Sequence, residues 1–124
     1  MKEFSRADRV GAQMQRELAL LLRDEARNPR LAEVTIQEVR VTRDLSHAKV
    51  FFTVLDSREA EQFTEMLEHA AGFLRKRLGQ LMKVRSVPEL HFFYDKSIEE
   101  GQRLSALIER AVAADRREED DGEA

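Results

Sequence analysis

Residues 63–81, FTEMLEHAAGFLRKRLGQL, hold one apolar face from end to end. The face recurs at the three- and four-residue steps of an α-helix and comprises Phe63, Leu67, Ala70, Leu74, Leu78 and Leu81. Gly72 interrupts it without changing its phase, and glycine inside a helix costs about 0.5–1 kcal/mol relative to alanine. The pattern predicts two coaxial helical halves, capped by Ser57, with a bend at Ala70, Ala71 and Gly72.

The segments before this stretch predict a helix followed by a hairpin. Ser5 is typical of a helix N-cap, and Asn28-Pro29 ends the helix, because proline disfavours the α conformation in the residue before it. Residues 33–43 alternate as a strand whose phase slips at Gln37-Glu38, which indicates a bulge. A short turn and a second alternating strand at residues 48–54 predict an antiparallel hairpin.

The segments after it predict one more strand and one more helix. Pro88 opens a strand in which apolar residues alternate with His91 and Phe93, and proline is tolerated at a strand's first position. Ser97 and Glu100 form a capping box for a last helix that carries Leu104, Leu107, Ile108 and Ala111. The chain is thus predicted to be an α+β fold with a three-stranded sheet covered by helices. The order α-β-β-α-α-β is that of the type II KH domain, an RNA-binding module.

Length and composition set the class of protein. The 124 residues suit a single domain, predicted at residues 1–115. The formal net charge is −3, but residues 118–124 carry five acids and no base, so the rest holds 21 bases against 24 − 5 = 19 acids. Residues 116–124 are predicted to be an acidic disordered tail. The chain lacks cysteine, a membrane-length apolar run and a visible signal peptide, which fits a reducing cytoplasm.

Charge is polarised along the central helix. Residues 57–70 hold four acids and one base, whereas residues 71–88 hold no acid and five bases: Arg75, Lys76, Arg77, Lys83 and Arg85. The helix dipole explains the acids and the last two bases, but not the three that directly follow the bend. Cations beside a helix break favour phosphate. The five are therefore predicted to bind RNA, with the first two contributing most because they lie farther from the Leu74/Leu78 stripe.

Other candidate residues carry weaker signals. Arg6 and Arg9 on the first helix, and Arg43 and Lys49 beside the hairpin turn, are further RNA-binding candidates that solvation alone would also explain. His47, His69 and His91 are far apart in sequence with no ligand spacing, so no metal and no cofactor are predicted. The chain lacks a phosphate-binding loop and a nucleophile motif, which argues against an enzyme. A protein-interaction adaptor of α+β fold without RNA binding is the alternative, and it suits the near-neutral charge.

Four stretches together resemble one known family. KH domains place a GxxG loop between two helices, where this chain has Ala70-Ala71-Gly72. The other three are RADRV at residues 6–10, TRDLSHAKV at residues 42–50 and VPELHFFYD at residues 87–95. In this order the four resemble the ribosome-binding factor A family, KH-like proteins in which an AxG bend replaces the GxxG loop. The likeness covers about residues 2–115.

The resemblance implies a role in ribosome assembly. It implies a cytoplasmic, monomeric, non-catalytic factor that binds 16S rRNA in the free small (30S) ribosomal subunit or its precursor. The factor would assist late maturation and 16S rRNA processing near the 5′-terminal helix, and its loss would cause cold sensitivity. Assembly GTPases are the implied functional neighbours, and membranes are not.

Overall fold

The computed structural model describes the backbone of residues 5–122 and the side chains of residues 5–97 and 103–114. Three helices and three strands follow one another as α1 (Arg6–Asp24), β1 (Thr35–Val41), β2 (His47–Thr53), α2 (Ala60–Leu81), β3 (Glu89–Tyr94) and α3 (Ser97–Gly122). Short 3-10 turns at Pro29–Glu33 and Ser57–Glu59 precede β1 and α2. The backbone of residues 116–122, which the sequence predicts to be a disordered tail, belongs to the end of α3. Their side chains lie outside the described part, and the domain boundary at residue 115 stays a prediction.

The sheet confirms the predicted α+β class. Its strand order is β1-β2-β3, with β1 antiparallel to β2 and β2 parallel to β3. A parallel pair needs a crossover connection, which α2 supplies. The register of β1 and β2 shifts between Ile36 and Glu38, so the predicted bulge at Gln37-Glu38 is confirmed.

Helix α1 begins and packs as its sequence requires. The Ser5 hydroxyl accepts a hydrogen bond from the Asp8 amide at 3.2 Å, and the Asp8 carboxylate accepts one from the Ser5 amide at 3.0 Å. Gly11 lies against β1, where a Cβ would stand 2.6 Å from the carbonyl oxygen of Val39. Only glycine permits this close approach of helix and strand, which brings Met14 and Leu18 fully into the core.

Helix α2 corrects two details of the prediction. It runs from Ala60 to Leu81 as a single helix rather than as two halves, although a change in axis direction at Ala70, Ala71 and Gly72 stays a prediction. Ser57 does not cap it, because the N-cap residue of α2 is Glu59, which makes no side-chain capping hydrogen bond. Asp56 instead caps the 3-10 turn that precedes the helix, by accepting a hydrogen bond from the amide of Arg58.

The apolar face of α2 also ends differently from the prediction. Phe63, Leu67, Leu74 and Leu78 are buried as predicted, whereas Leu81 is 41% exposed and Met82 is 4% exposed. The backbone turns to an extended conformation at Met82. The stripe is therefore completed by the residue four positions after Leu78 instead of the residue three positions after it.

The two faces of the sheet have different surroundings. Helix α1 packs on β1 and α2 packs on β3, over a core that includes Val50, Phe52 and Phe92. Helix α3 does not cover the sheet as predicted, because its described side chains at residues 103–114 are all exposed. An amphipathic pattern predicts a helix but does not specify what it packs against. No described helix is both long enough and apolar enough to cross a membrane.

Candidate nucleic-acid interface

A groove of about 660 Å³ lies where the end of α1 meets the middle of α2. Its lining is mainly apolar. One wall is formed by Ala26, Arg27, Asn28 and Leu31, and the other by Met66, His69, Ala70, Gly72, Phe73 and Lys76. We refer to these ten residues as the groove. It contains two of the three residues at which a bend was predicted.

Asn28 fixes the first wall of the groove. Its side-chain oxygen accepts a hydrogen bond from the amide of Arg30 at 3.0 Å, which caps the 3-10 turn that starts at Pro29. Its side-chain nitrogen lies 3.0 Å from the sulfur of Met66 on the opposite wall. The Asn28 side chain thus caps the turn that follows α1 and also contacts the opposite wall of the groove.

The second wall is a stripe on α2 that differs from the core stripe. Met66, His69, Phe73 and Lys76 recur at three- and four-residue steps, so they are neighbours along one side of the helix. Phe73 is 40% exposed, which leaves part of an aromatic ring open to solvent. Exposed aromatic rings stack on nucleic-acid bases, and nearby cations bind the phosphates.

Gly72 lies on this wall, and nothing in the described fold requires glycine there. A Cβ at position 72 would meet no atom within 4 Å, so close packing is not the reason. Its φ angle is not positive, so a special backbone conformation is not the reason either. The lack of a side chain leaves the helix backbone uncovered beside the groove.

Lys76 and Arg27 place positive charge at the groove. Both side chains are exposed, and none of the side chains at residues 5–97 and 103–114 pairs with either of them in an ion pair. A cation without an internal partner is free to neutralise a phosphate. The groove thus combines an apolar floor, an open aromatic ring and two available charges.

The neighbours of Lys76 in the predicted basic patch are engaged within the protein. Arg75 donates two hydrogen bonds to the carbonyl oxygen of Val87, at 3.1 and 2.8 Å. Arg77 forms an ion pair with Glu25 at 3.1 Å and also donates to Gln80. The two arginines fasten α2 to the segment before β3 and to the end of α1.

Arg30 is a further cation near the groove that has internal partners. It pairs with Glu59 at 2.9 Å and with Glu33 at 3.4 Å, and its guanidinium lies 4.9 Å from the centre of the Phe63 ring. The hydrogen bond with Glu59 raises the pKa of Arg30 above its ordinary value. The Arg30 guanidinium is therefore held between the two 3-10 turns by its acidic partners, and it is less available to a ligand than the ammonium group of Lys76.

The structure disperses the remaining predicted site residues. Lys83 and Arg85 are exposed in the segment between α2 and β3, and Arg6 and Arg9 are exposed on the first turn of α1. Arg43 lies in the hairpin turn. Lys49 lies on the face of the sheet that α1 and α2 leave open. Of the nine predicted RNA-binding residues, only Lys76 lines the groove.

Among the groove residues that the sequence did not single out as RNA contacts, four carry polar or aromatic side chains: Arg27, Asn28, His69 and Phe73. Residues 26–31 and 66–76 meet only in the folded chain, so no local pattern marks the groove. The one available signal was the position of His69 and Phe73 on either side of the predicted bend. Asn28 was interpreted only as part of the helix stop.

Comparisons with known proteins agree on one family. The family model for ribosome-binding factor A matches residues 6–108. A ribosome-binding factor A from Pseudomonas paraeruginosa is 57% identical over 125 residues, which cover 98% of each chain.

Solved structures point the same way. The crystal structure of ribosome-binding factor A from Thermus thermophilus matches with a TM-score of 0.66 and 27% identity, over 73% of this chain and 97% of that one. A homology model of the Thermus thermophilus factor, fitted into the cryo-EM map of its 30S complex, matches with a TM-score of 0.57 and 26% identity. That match covers 69% of this chain and 91% of the other.

Proposed function

The chain belongs to the ribosome-binding factor A family, and from that premise we propose that it binds the small ribosomal subunit through the groove beside Gly72. The relative fitted into a 30S complex supports the partner. The groove supplies chemistry that suits RNA: a ring for a base and cations for phosphates. We propose that it is a non-catalytic binding factor rather than an enzyme, in keeping with this family.

Gly72 is the observation that carries this proposal. Glycine in a helix lowers stability by about 0.5–1 kcal/mol relative to alanine, and neither packing nor backbone geometry at this position explains why it is present. An uncovered helix backbone next to an aromatic ring and a free lysine lets a phosphate or ribose come closer than any side chain would allow. KH domains use the glycines of their GxxG loop for such backbone contact.

The charges divide between binding and folding. Lys76 is proposed to contact phosphate, together with Arg27 from the opposite wall. Arg75 keeps one guanidinium nitrogen uninvolved in the bonds to Val87, so it is a secondary contact, and Arg77 positions α2 through Glu25. Lys83, Arg85, Arg6, Arg9, Arg43 and Lys49 remain proposed peripheral contacts.

The role in the cell follows from the family. We propose that the protein acts in the cytoplasm as a monomer on free 30S subunits or their precursors, and assists late maturation. Processing of 16S rRNA near the 5′-terminal helix, neighbouring assembly GTPases and a need for the factor in the cold belong to the same proposal. Residues 1–115 would be the binding domain, with residues 116–124 as an acidic tail that binding does not require.

Sedimentation tests the partner. The full-length protein, mixed with purified 30S, 50S and 70S particles, is centrifuged through sucrose gradients, and its distribution is measured by immunoblot. We expect it to travel with 30S and to be absent from 70S fractions. The chain truncated after residue 115 is the matched comparison and should distribute in the same way.

Two outcomes would contradict the proposal. Equal association with all three particles would indicate non-specific attraction to RNA, and absence from all fractions would indicate that the partner is different. Loss of 30S association in the truncated chain would move part of the recognition to the tail.

A further inference from the structure

Three side chains that can bind metals meet on the open face of the sheet. His47 begins β2, and Glu89 and His91 lie near the start of β3. The parallel register sets His47 opposite Glu89, and residues two apart on a strand share a face. The backbone itself therefore brings the three side chains to one side of the sheet. The amide of Glu89 donates to the carbonyl of Ser46 at 2.9 Å, which holds this register at its first residue.

The distances between the three side chains are close to those that one metal ion requires. Nδ1 of His47 lies 3.0 Å from Nε2 of His91 and 3.7 Å from Oε2 of Glu89. One atom from each of the three lies within 4.8 Å of the others. Ligands bound to zinc at about 2.0–2.1 Å in a tetrahedron stand roughly 3.3 Å apart. The two distances at His47 are therefore within about 0.4 Å of this spacing, and the third, which is at most 4.8 Å, needs side-chain movement of up to about 1.5 Å to close the site.

We propose that His47, Glu89 and His91 form a binding site for one divalent metal ion, with Zn²⁺ as the expected ion. Two imidazoles and a carboxylate suit zinc and its first-row neighbours, whereas Mg²⁺ and Ca²⁺ prefer oxygen ligands throughout. Three protein ligands leave a fourth position open. The side chains of His47 and Glu89 are 52% and 60% exposed, so that position faces solvent and the ion exchanges readily.

A simple hydrogen bond between the two histidines explains less. It accounts for the 3.0 Å contact between the rings, and it leaves the carboxylate to form an ion pair with His47 only where that ring carries a proton. A bound cation uses all three groups and neutralises the carboxylate. Lys49 opposes binding by charge, because it lies directly opposite His91 in the register. Its removal should therefore strengthen binding.

Isothermal titration calorimetry, in which zinc chloride is added to the full-length, metal-free protein, tests the site. We expect one equivalent to bind, and either His47→Gln or His91→Gln to weaken binding by roughly tenfold or more, because loss of a group that only orients a ligand already costs about 10–100-fold. His69→Gln is the matched control, since His69 lies on α2 at the groove. The zinc affinity of this variant should equal that of the parent protein. Lys49→Gln should bind more tightly.

A measurement on the unaltered protein avoids reliance on variants that fold poorly. In NMR spectra, zinc should shift the resonances of His47, Glu89 and His91 and leave those of His69 unchanged. Absence of saturable binding would overturn the proposal. So would shifts centred on His69, or an unchanged affinity in folded His47→Gln and His91→Gln proteins. Neither test involves RNA or subunits, so its result is independent of the proposed groove.

Discussion

The two sides of α2 have different tasks, although they belong to one continuous helix. The core side places Phe63, Leu67, Leu74 and Leu78 against the sheet, each with at most 1% exposure. The groove side carries an open ring and a lysine without an ion-pair partner among the described residues. It also carries Gly72, where a Cβ would meet no atom within 4 Å. Apolar periodicity thus locates the side of the helix that stabilises the fold, whereas the recognition side is marked by residues that the fold does not need.

Truncation on the core side should have the largest effect. Leu74→Ala removes a fully buried side chain and should lower the free energy of unfolding by about 2–5 kcal/mol, because it leaves a cavity in a packed core. Urea denaturation followed by circular dichroism measures this change. A loss below about 1 kcal/mol would show that the two sides of α2 do not differ in the way described.

Truncation on the groove side should affect binding and leave stability almost unchanged. Phe73→Ala removes a ring that is 40% exposed, and each base stacked on an aromatic side chain contributes about 1–3 kcal/mol. We expect 30S affinity to fall by roughly 5- to 150-fold in a fluorescence titration. The exposed Leu104→Ala on α3 is the matched control. Unchanged affinity in the Phe73 variant would exclude stacking at this groove.

Arg75 stands next to Lys76 in the sequence, but its guanidinium is bonded within the protein. Arg75→Gln removes two exposed hydrogen bonds to Val87 and should lower the free energy of unfolding by about 1 kcal/mol. Its effect on 30S affinity should be smaller than that of Lys76→Gln. The reverse order of the two affinities would return the main phosphate contact to Arg75.

Gly72→Ala should change stability and binding in opposite directions. The added methyl group meets no atom, and alanine favours the helix, so the free energy of unfolding should rise by about 0.5–1 kcal/mol. Binding to 30S should weaken because the methyl group covers the helix backbone at the groove. A variant that is more stable and binds equally well would show that the glycine is not needed for contact with RNA.

Local patterns in the sequence predicted the parts of the fold that depend on neighbours along the chain. The helix N-cap at Ser5 and the bulge at Gln37-Glu38 follow from a few consecutive residues, and both are confirmed. The continuity of α2 did not follow. Gly72 weakens a helix by a modest amount, which the burial of the stripes on both sides of it outweighs.

The site could be predicted only in part, because its properties depend on partners far apart in sequence. Helical spacing predicts that Arg75 and Lys76 are better placed for RNA than Arg77. In the structure Val87 engages Arg75 and Glu25 engages Arg77, which leaves Lys76 as the member of the run without an ion pair among the described residues. Glu25 and Arg77 are 52 positions apart. The groove forms only where the end of α1 packs beside α2, and His47 and His91 come together only through the parallel pairing of β2 and β3. Counting charges or histidine spacings reveals neither.

The most direct test of the central claim is the salt dependence of 30S binding in two matched double variants. Arg27→Gln/Lys76→Gln removes the two groove charges, and Arg23→Gln/Arg58→Gln removes two charges that have internal partners. Both variants have the same net charge. We predict that the groove variant binds more weakly and that its salt slope falls by about 2, one for each phosphate that its side chains no longer neutralise. The control should keep a slope near that of the parent, and equal slopes in the two variants would contradict the assignment of RNA binding to the groove.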